Sequence, residues 1–137
     1  LSNLELAERV ALSPSPCLRR LKRLEESGVI RQYVALVDSL KVGLGLLAYV
    51  SVKLEKRGEG AVKAFARAVQ NWQEVVACYS MTGDLDYLLR VHVEDLEHYS
   101  RFVMNSLLKH PGITEVKSCF ALEGVKDTTA LPLTHLA

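Results

Sequence analysis

Residues 13–23 read SPSPCLRRLKR. Four cations, Arg19, Arg20, Lys22 and Arg23, fall within five positions, and no carboxylate appears until Glu25 and Glu26. A solvated surface usually interleaves both signs, so a one-sign cluster on one face of an element suits a polyanion such as a phosphate backbone. A second group with chemistry is Thr82-Gly83-Asp84-Leu85-Asp86. A turn of this kind offers backbone N–H donors for a carboxylate and two side-chain carboxylates for an ammonium, which are the two needs of a bound amino acid. The same residues also read as a plain hairpin turn in which Gly83 supplies a positive φ. Both readings stand at this level.

Other chemistries find little support. His92, His98, His110 and His135 show no HxxxH or HExxH spacing, so no metal site is expected. There is no phosphate-cradling glycine loop and no nucleophile elbow, so neither a cofactor nor an enzyme activity is expected. Cys17, Cys78 and Cys119 are odd in number and far apart; they read as small buried hydrophobes in a reducing compartment. No apolar run approaches a membrane span and nothing resembles a signal peptide, so a cytoplasmic protein is expected, with no membrane partner. The 137 residues carry a net charge of only +1. The positive excess is local: residues 1–31 hold Arg9, Arg19, Arg20, Lys22, Arg23 and Arg31 against Glu5, Glu8, Glu25 and Glu26.

The elements that must position these residues follow from caps and periodicity. Ser13 is an N-cap, Pro14 and Pro16 fit a first turn, and Gly28 stops the helix, so a helix is expected from Ser13 to about Ser27. At about 100° per residue, Cys17, Leu18, Leu21 and Leu24, with Pro14, share an arc of roughly 120°, and Ser15 and the four cations lie opposite. Ser2 with Glu5 forms a capping box for an earlier helix, Asn3 to Val10. Two helices joined by a short turn, the second one basic, make a helix-turn-helix. VIRQYVAL, after Gly28, is rich in β-formers and suits a short wing strand.

Residues 37–45 carry turn formers and are read as a linker between a domain at 1–36 and another at 46–137. In the second, 46–54 alternates as a strand, and Val62, Phe65, Ala66 and Val69 mark a helix. Residues 75–81 and 86–93 make strands about the TGDLD turn. A helix repeating Leu96, Tyr99, Val103 and Leu107 follows, and Ile113 to Leu122 closes the domain. The order βαββαβ is the ferredoxin-like plan, an antiparallel sheet with both helices on one face. Leu88, Arg90 and His92 would fall on the other face. Large apolar groups on both faces predict a dimer formed through the open one.

LSNLELAERVALSPSPCLRRLKRLEESGVIRQYVAL, TGDLDYLLRV, LLKHPGITEVKS and TALPL, in that order, resemble the leucine-responsive/asparagine-responsive (Lrp/AsnC) transcription regulators over essentially the whole chain. The resemblance implies an α+β protein, a winged helix-turn-helix followed by a ferredoxin-like βαββαβ domain of the RAM type. It implies a regulator that binds double-stranded promoter DNA and is modulated by a small effector, an amino acid, held between subunits of the C-terminal domain. It further implies homodimers that assemble to octamers. Carried onto this chain, the DNA-binding residues are Ser13, Ser15, Pro16, Cys17, Arg19, Arg20, Lys22 and Arg23. Of these, Ser13 and Ser15 with the helix N-terminus suit phosphates, Arg19 and Arg23 suit phosphate or guanine, and Cys17, with Leu18, suits packing. The effector residues are Thr82, Gly83, Asp84 and Asp86, with Leu96, Leu108 and Phe120 as pocket candidates that core packing explains equally well. The resemblance implies a further helix ahead of LSNLEL, either removed or belonging to residues that precede those given. Two alternatives use the same plan: a siroheme-decarboxylase-like enzyme employing His92 or His98, and an amino-acid sensor that acts on another protein.

Overall fold

The computed structural model describes Leu4 and Glu5, residues 14–55 and residues 58–136. Leu4 and Glu5 are helical; the rest of the expected first helix, its capping box and the Ser13 cap lie outside the described residues. The chain divides into two compact units, Leu1–Val37 and Asp38–Ala137.

In the first unit, helix α1 spans Pro14–Glu26. Both prolines sit in the first turn, where a missing N–H breaks no internal bond. Gly28 ends the helix at φ 83°, a left-handed conformation that costs glycine nothing. Of the apolar arc, Cys17 is buried, but Leu18 is 52% exposed and Leu24 is also exposed. A unit this small has too little surface to enclose a whole helix face. The expected wing strand is not formed: residues 31–38 have no regular structure, and Val29, Tyr33, Val34 and Leu36 are exposed. A strand needs a partner ladder, and among the described residues none is offered to it.

In the second unit, residues 38–45 close on themselves through turn bonds, among them Leu44 N–H to the Ser39 carbonyl at 2.8 Å. The elements that follow are β1 Leu46–Leu54, α2 Glu59–Gln70, β2 Val75–Ser80, β3 Tyr87–Val93, α3 Leu96–Phe102 and β4 Ile113–Phe120. The sheet order is β2-β3-β1-β4, with all neighbours antiparallel. This is the expected ferredoxin-like plan. Ala48, Val50 and Val52 pair across from Val91, Leu89 and Tyr87, and this alternate set is buried against Phe65 and Val69 of α2 and Tyr99 and Phe102 of α3.

Helix α3 departs from the expected four-residue repeat. Asp95 caps it by accepting the His98 N–H at 2.8 Å. Its last turn, Val103–Leu107, is a π-turn, with Leu108 N–H donating to the Val103 carbonyl at 2.8 Å. The extra residue in that turn brings Leu107 inward in place of Ser106. Leu107 joins Tyr99 and Phe102 in the core, and Leu96, Met104 and Leu108 lie exposed.

The face of the sheet away from the helices carries Leu47, Tyr49, Ser51 and Lys53 of β1, and Leu88, Arg90 and His92 of β3. Tyr79 pairs beside Leu88, and Cys119 beside Tyr49. Cys119 is therefore exposed rather than buried as expected, because no layer covers this side; Cys78 is half-buried and Cys17 buried, and all three are free thiols. His92 Nδ1 is buried on this face and has no hydrogen-bond partner among the described residues. Desolvation, then the neighbouring Arg90, pushes the His92 pKa below the ordinary histidine value, so the ring holds no charge near neutrality.

Candidate functional site

The basic group is built by α1. Ser15, Arg19, Arg20, Lys22 and Arg23 are exposed, Pro16 is half-buried and Cys17 packs inward. Among the described residues none of the four cations takes part in an ion pair. The nearest carboxylate along the helix, Glu25, is engaged elsewhere: it accepts from the Tyr33 hydroxyl at 2.6 Å, and this hydrogen bond raises the phenol's pKa. The face is a row of fixed positive charge with no internal counter-ion, suited to phosphate.

The second group is the turn between β2 and β3. Gly83 takes φ 100°, so the hairpin requirement is real. The two carboxylates do different work. Register explains Asp86: β3 begins at Tyr87, opposite Val52, so the N–H of Leu54, two residues further along β1, meets no strand. Asp86 Oδ2 accepts that N–H at 2.8 Å, and its own N–H donates to the Val52 carbonyl at 2.9 Å. A buried backbone donor without a partner is costly, so Asp86 is first a structural cap for the end of β1. Asp84 is exposed and makes neither hydrogen bond nor ion pair among the described residues.

Each carboxylate borders a shallow cavity. Asp86 lines one of about 190 Å³ with Leu54, Val62, Ser80, Met81 and Tyr87. Asp84 lines one of about 170 Å³ with Ser51, Lys53, Leu85, Glu115 and Lys117 on the open sheet face. There Glu115 pairs with Lys117 at 3.3 Å and Lys53 at 3.8 Å.

Thr82, Gly83, Asp84 and Asp86 are therefore together, but the other three expected effector residues are dispersed. Phe120 pairs with Ala48, and Leu96 follows Val93, which pairs with Leu46. Both lie at the far end of the sheet, roughly 20 Å along β3 from the turn at about 3.3 Å per residue. Phe120 also packs edge-on against the Tyr99 ring, with centroids at 5.1 Å. Leu108 is exposed beyond the π-turn. Conversely, sequence reasoning missed Leu54, Val62, Ser80 and Met81. Ser80 and Met81 reach Asp86 across the β2–β3 hairpin, whereas the β1–β3 register brings Leu54 there and the helix α2 brings Val62, and no local signal carries these last two.

The histidines are accounted for singly. His98 Nδ1 accepts the Glu94 N–H at 3.0 Å, with Nε2 3.4 Å from Glu74. His110 packs edge-on against Phe65 at 5.7 Å. Among the described residues no group of His, Cys, Asp or Glu could hold a metal ion, and no helix is long and apolar enough to cross a membrane.

A basic helix ahead of a βαββαβ domain with helices on one face fits a DNA-binding regulator that carries a separate ligand domain. The comparisons agree. Residues 1–31 match the model for winged helix-turn-helix DNA-binding domains, and residues 47–131 match the Lrp/AsnC ligand binding domain. The chain belongs to the Lrp/AsnC family of transcriptional regulators. It is 41% identical to the DNA-binding transcriptional activator DecR of Escherichia coli over 128 residues, 93% of this chain and 84% of that protein. It is 37% identical to the leucine-responsive regulatory protein of Escherichia coli over 131 residues, 96% of this chain and 80% of that protein. Among solved structures, a transcriptional regulator from Neisseria meningitidis in complex with L-Met superposes with a TM-score of 0.95. It is 48% identical, over all of this chain and 88% of that one.

Proposed function

We propose that this regulator reads DNA through Ser15, Arg19, Arg20, Lys22 and Arg23 of α1, and that its activity is set by an amino acid bound at the Thr82–Asp86 turn where two chains meet. Ser13 would cap the same helix. The observation that carries the effector reading is the turn's geometry. It presents the Asp84 and Asp86 carboxylates to cavities that each fall short of the roughly 300 Å³ at which small-molecule sites begin. One chain thus supplies one wall, and a second chain supplies the other. Leu96, Leu108 and Phe120, remote from the turn in their own chain, are available to be that second wall. The methionine held by the Neisseria relative makes L-methionine the first ligand to try.

Dimerisation runs through the open sheet face, where Leu47, Tyr49, Tyr79 and Leu88 lie with no covering layer. A second copy would also offer His92 Nδ1 the partner it lacks. Dimers then assemble further, to octamers, and effector binding between them shifts the spacing of α1 helices along DNA. The protein works in the cytoplasm on this reading, which the three free cysteines and a DNA target support.

The test uses two variants of Asp86. Asp86→Asn keeps an oxygen for the Leu54 N–H but loses the charge; it is expected to melt near the wild type and to lose any thermal shift given by a responsive amino acid. Asp86→Ala strips the N–H of its acceptor and is expected to cost about 1–3 kcal/mol as well. A ligand at about a hundred times its dissociation constant adds roughly 2.7 kcal/mol, which a melting screen of the twenty amino acids resolves. An undiminished shift in Asp86→Asn would remove this turn from the effector site.

A further inference from the structure

A further cavity of the second unit has no part in the site described above. It measures about 300 Å³, larger than either cavity at the Thr82–Asp86 turn and at the size where small-molecule sites begin. The end of β1, the first two turns of α2 and the turn ahead of β4 enclose it, and Leu54, Ala61, Ala64 and Pro111 form its apolar walls. Ala61 and Ala64 stand one helical turn apart on one face of α2, and their small side chains leave open a space that larger ones would fill. The rim is pinned where the Glu55 N–H donates to the Gly112 carbonyl at 2.7 Å, with Gly112 at φ 95°. Two polar side chains also line the space, Glu55 and His110. Neither makes a side-chain hydrogen bond or an ion pair among the described residues. The His110 ring is nevertheless held in place, edge-on to Phe65 at 5.7 Å and to Trp72 at 6.3 Å by centroid.

The backbone of the walls has little left to give. The Leu54 N–H is held by Asp86, the Glu55 N–H by Gly112 and the His110 N–H by the Leu107 carbonyl, and Pro111 has none. Recognition of a polar head therefore falls mainly to the Glu55 carboxylate and a ring nitrogen of His110. A carboxylate only accepts, and it accepts most strongly from a cationic N–H donor. We propose that this cavity binds a small arylalkyl amine, with its ring among Leu54, Ala61, Ala64 and the edge of His110, and its ammonium donating to Glu55. Glu55 is exposed, so the ammonium stays at the mouth, partly in water, and only the apolar body is buried. An amino acid brings a carboxylate that Glu55 would repel. The ligand is thus of a different class from the effector proposed for the turn, and the two sites are distinct although Leu54 borders both. The inference does not depend on the effector reading, and it gives the regulator a second small molecule of different chemistry.

The probe is 2-phenylethylamine, with 2-phenylethanol as its neutral counterpart and L-phenylalanine as the one that adds a carboxylate. Trp72, the sole tryptophan, packs on His110, so its fluorescence reports on the cavity. Each titration of the full chain is repeated on Asp86→Asn, which keeps binding at the turn out of the reading. The amine is expected to bind the wild type and Asp86→Asn alike, with a dissociation constant of about 1 mM for a ligand of this size. Ala64→Leu fills the cavity and is expected to abolish the response. Glu55→Gln, at an exposed position, is expected to weaken binding about two- to fivefold, the worth of an exposed ion pair. Circular dichroism checks that both variants keep the fold, and Glu55→Gln decides alone if Ala64→Leu does not. No Trp72 response to the amine at about ten times that concentration would overturn the proposal. So would a response that persists in a folded Ala64→Leu, full affinity in Glu55→Gln, or 2-phenylethanol or L-phenylalanine binding Asp86→Asn as tightly as the amine does.

Discussion

Phe65→Ala is expected to cost the effector domain about 3–5 kcal/mol, the range for emptying a fully buried aromatic site. Phe65 has no exposed surface and is the centre of the packed ring cluster. Its ring lies 4.5 Å from Tyr87, 6.0 Å from Trp72 and 5.7 Å from His110 by centroid, so it ties α2 to the sheet and to the turn after the π-segment at once. The neighbours come from three separate segments and cannot all collapse into the void. A domain of ordinary stability has about 5–15 kcal/mol in total, so the variant keeps a small remainder at best. Trp72 is the sole tryptophan and touches Phe65, which makes urea unfolding by its fluorescence a direct readout. Phe65→Leu, which keeps most of the volume, is expected to lose less than about 1.5 kcal/mol. A cost below 1 kcal/mol for Phe65→Ala would mean that α2 is not held as described.

The second large effect concerns DNA. Arg19→Ala/Arg23→Ala removes two of four unpaired cations from the exposed face of α1 without touching its buried contact, Cys17. Each guanidinium lost from a phosphate reduces the salt slope of binding by about 0.9. If two α1 helices in a dimer bind together, the slope is expected to fall by roughly three to four, with a loss of about ten- to a hundredfold in affinity at moderate salt. Fluorescence anisotropy of a labelled duplex from the gene's own upstream region, repeated across salt concentrations, measures both. Lys22→Ala alone is expected to lower the slope by about one per chain and to leave sequence preference intact, as a point charge on phosphate would.

The second domain was largely legible in the sequence because its signals are local. Alternation over 46–54 and 86–93 sets which side chains point inward, and the turn at Gly83 fixes the hairpin. What was not legible depends on pairing. The wing reading of VIRQYVAL rested on composition, and composition cannot supply a neighbouring strand. Leu107 faces inward as its repeat suggests, but the outward place of Leu96, at the first turn of α3, is not marked by apolar spacing. Cys119 reads as a small hydrophobe until the sheet is seen to have a layer on one side only. At the site, TGDLD announced two carboxylates, but not that Asp86 already holds the Leu54 N–H, because that bond joins residues 32 positions apart. The cavity wall of Leu54 and Val62 is hidden for the same reason. The basic face of α1 was fully legible, since a single helix carries it and helical spacing alone sorts its residues.

Amino-acid binding in the second domain is expected to be coupled to DNA binding in the first. It is tested most directly by titrating the labelled upstream duplex with the full chain, with and without millimolar L-methionine and then each other amino acid in turn. Coupled sites of this kind shift affinity by about 5–150-fold, and the shift is reciprocal. At least one amino acid is expected to move the DNA midpoint by such a factor, and the movement is expected to disappear in Asp86→Asn, whose DNA binding without ligand is that of the wild type. A DNA midpoint that no amino acid moves, or one that moves equally in Asp86→Asn, would contradict it.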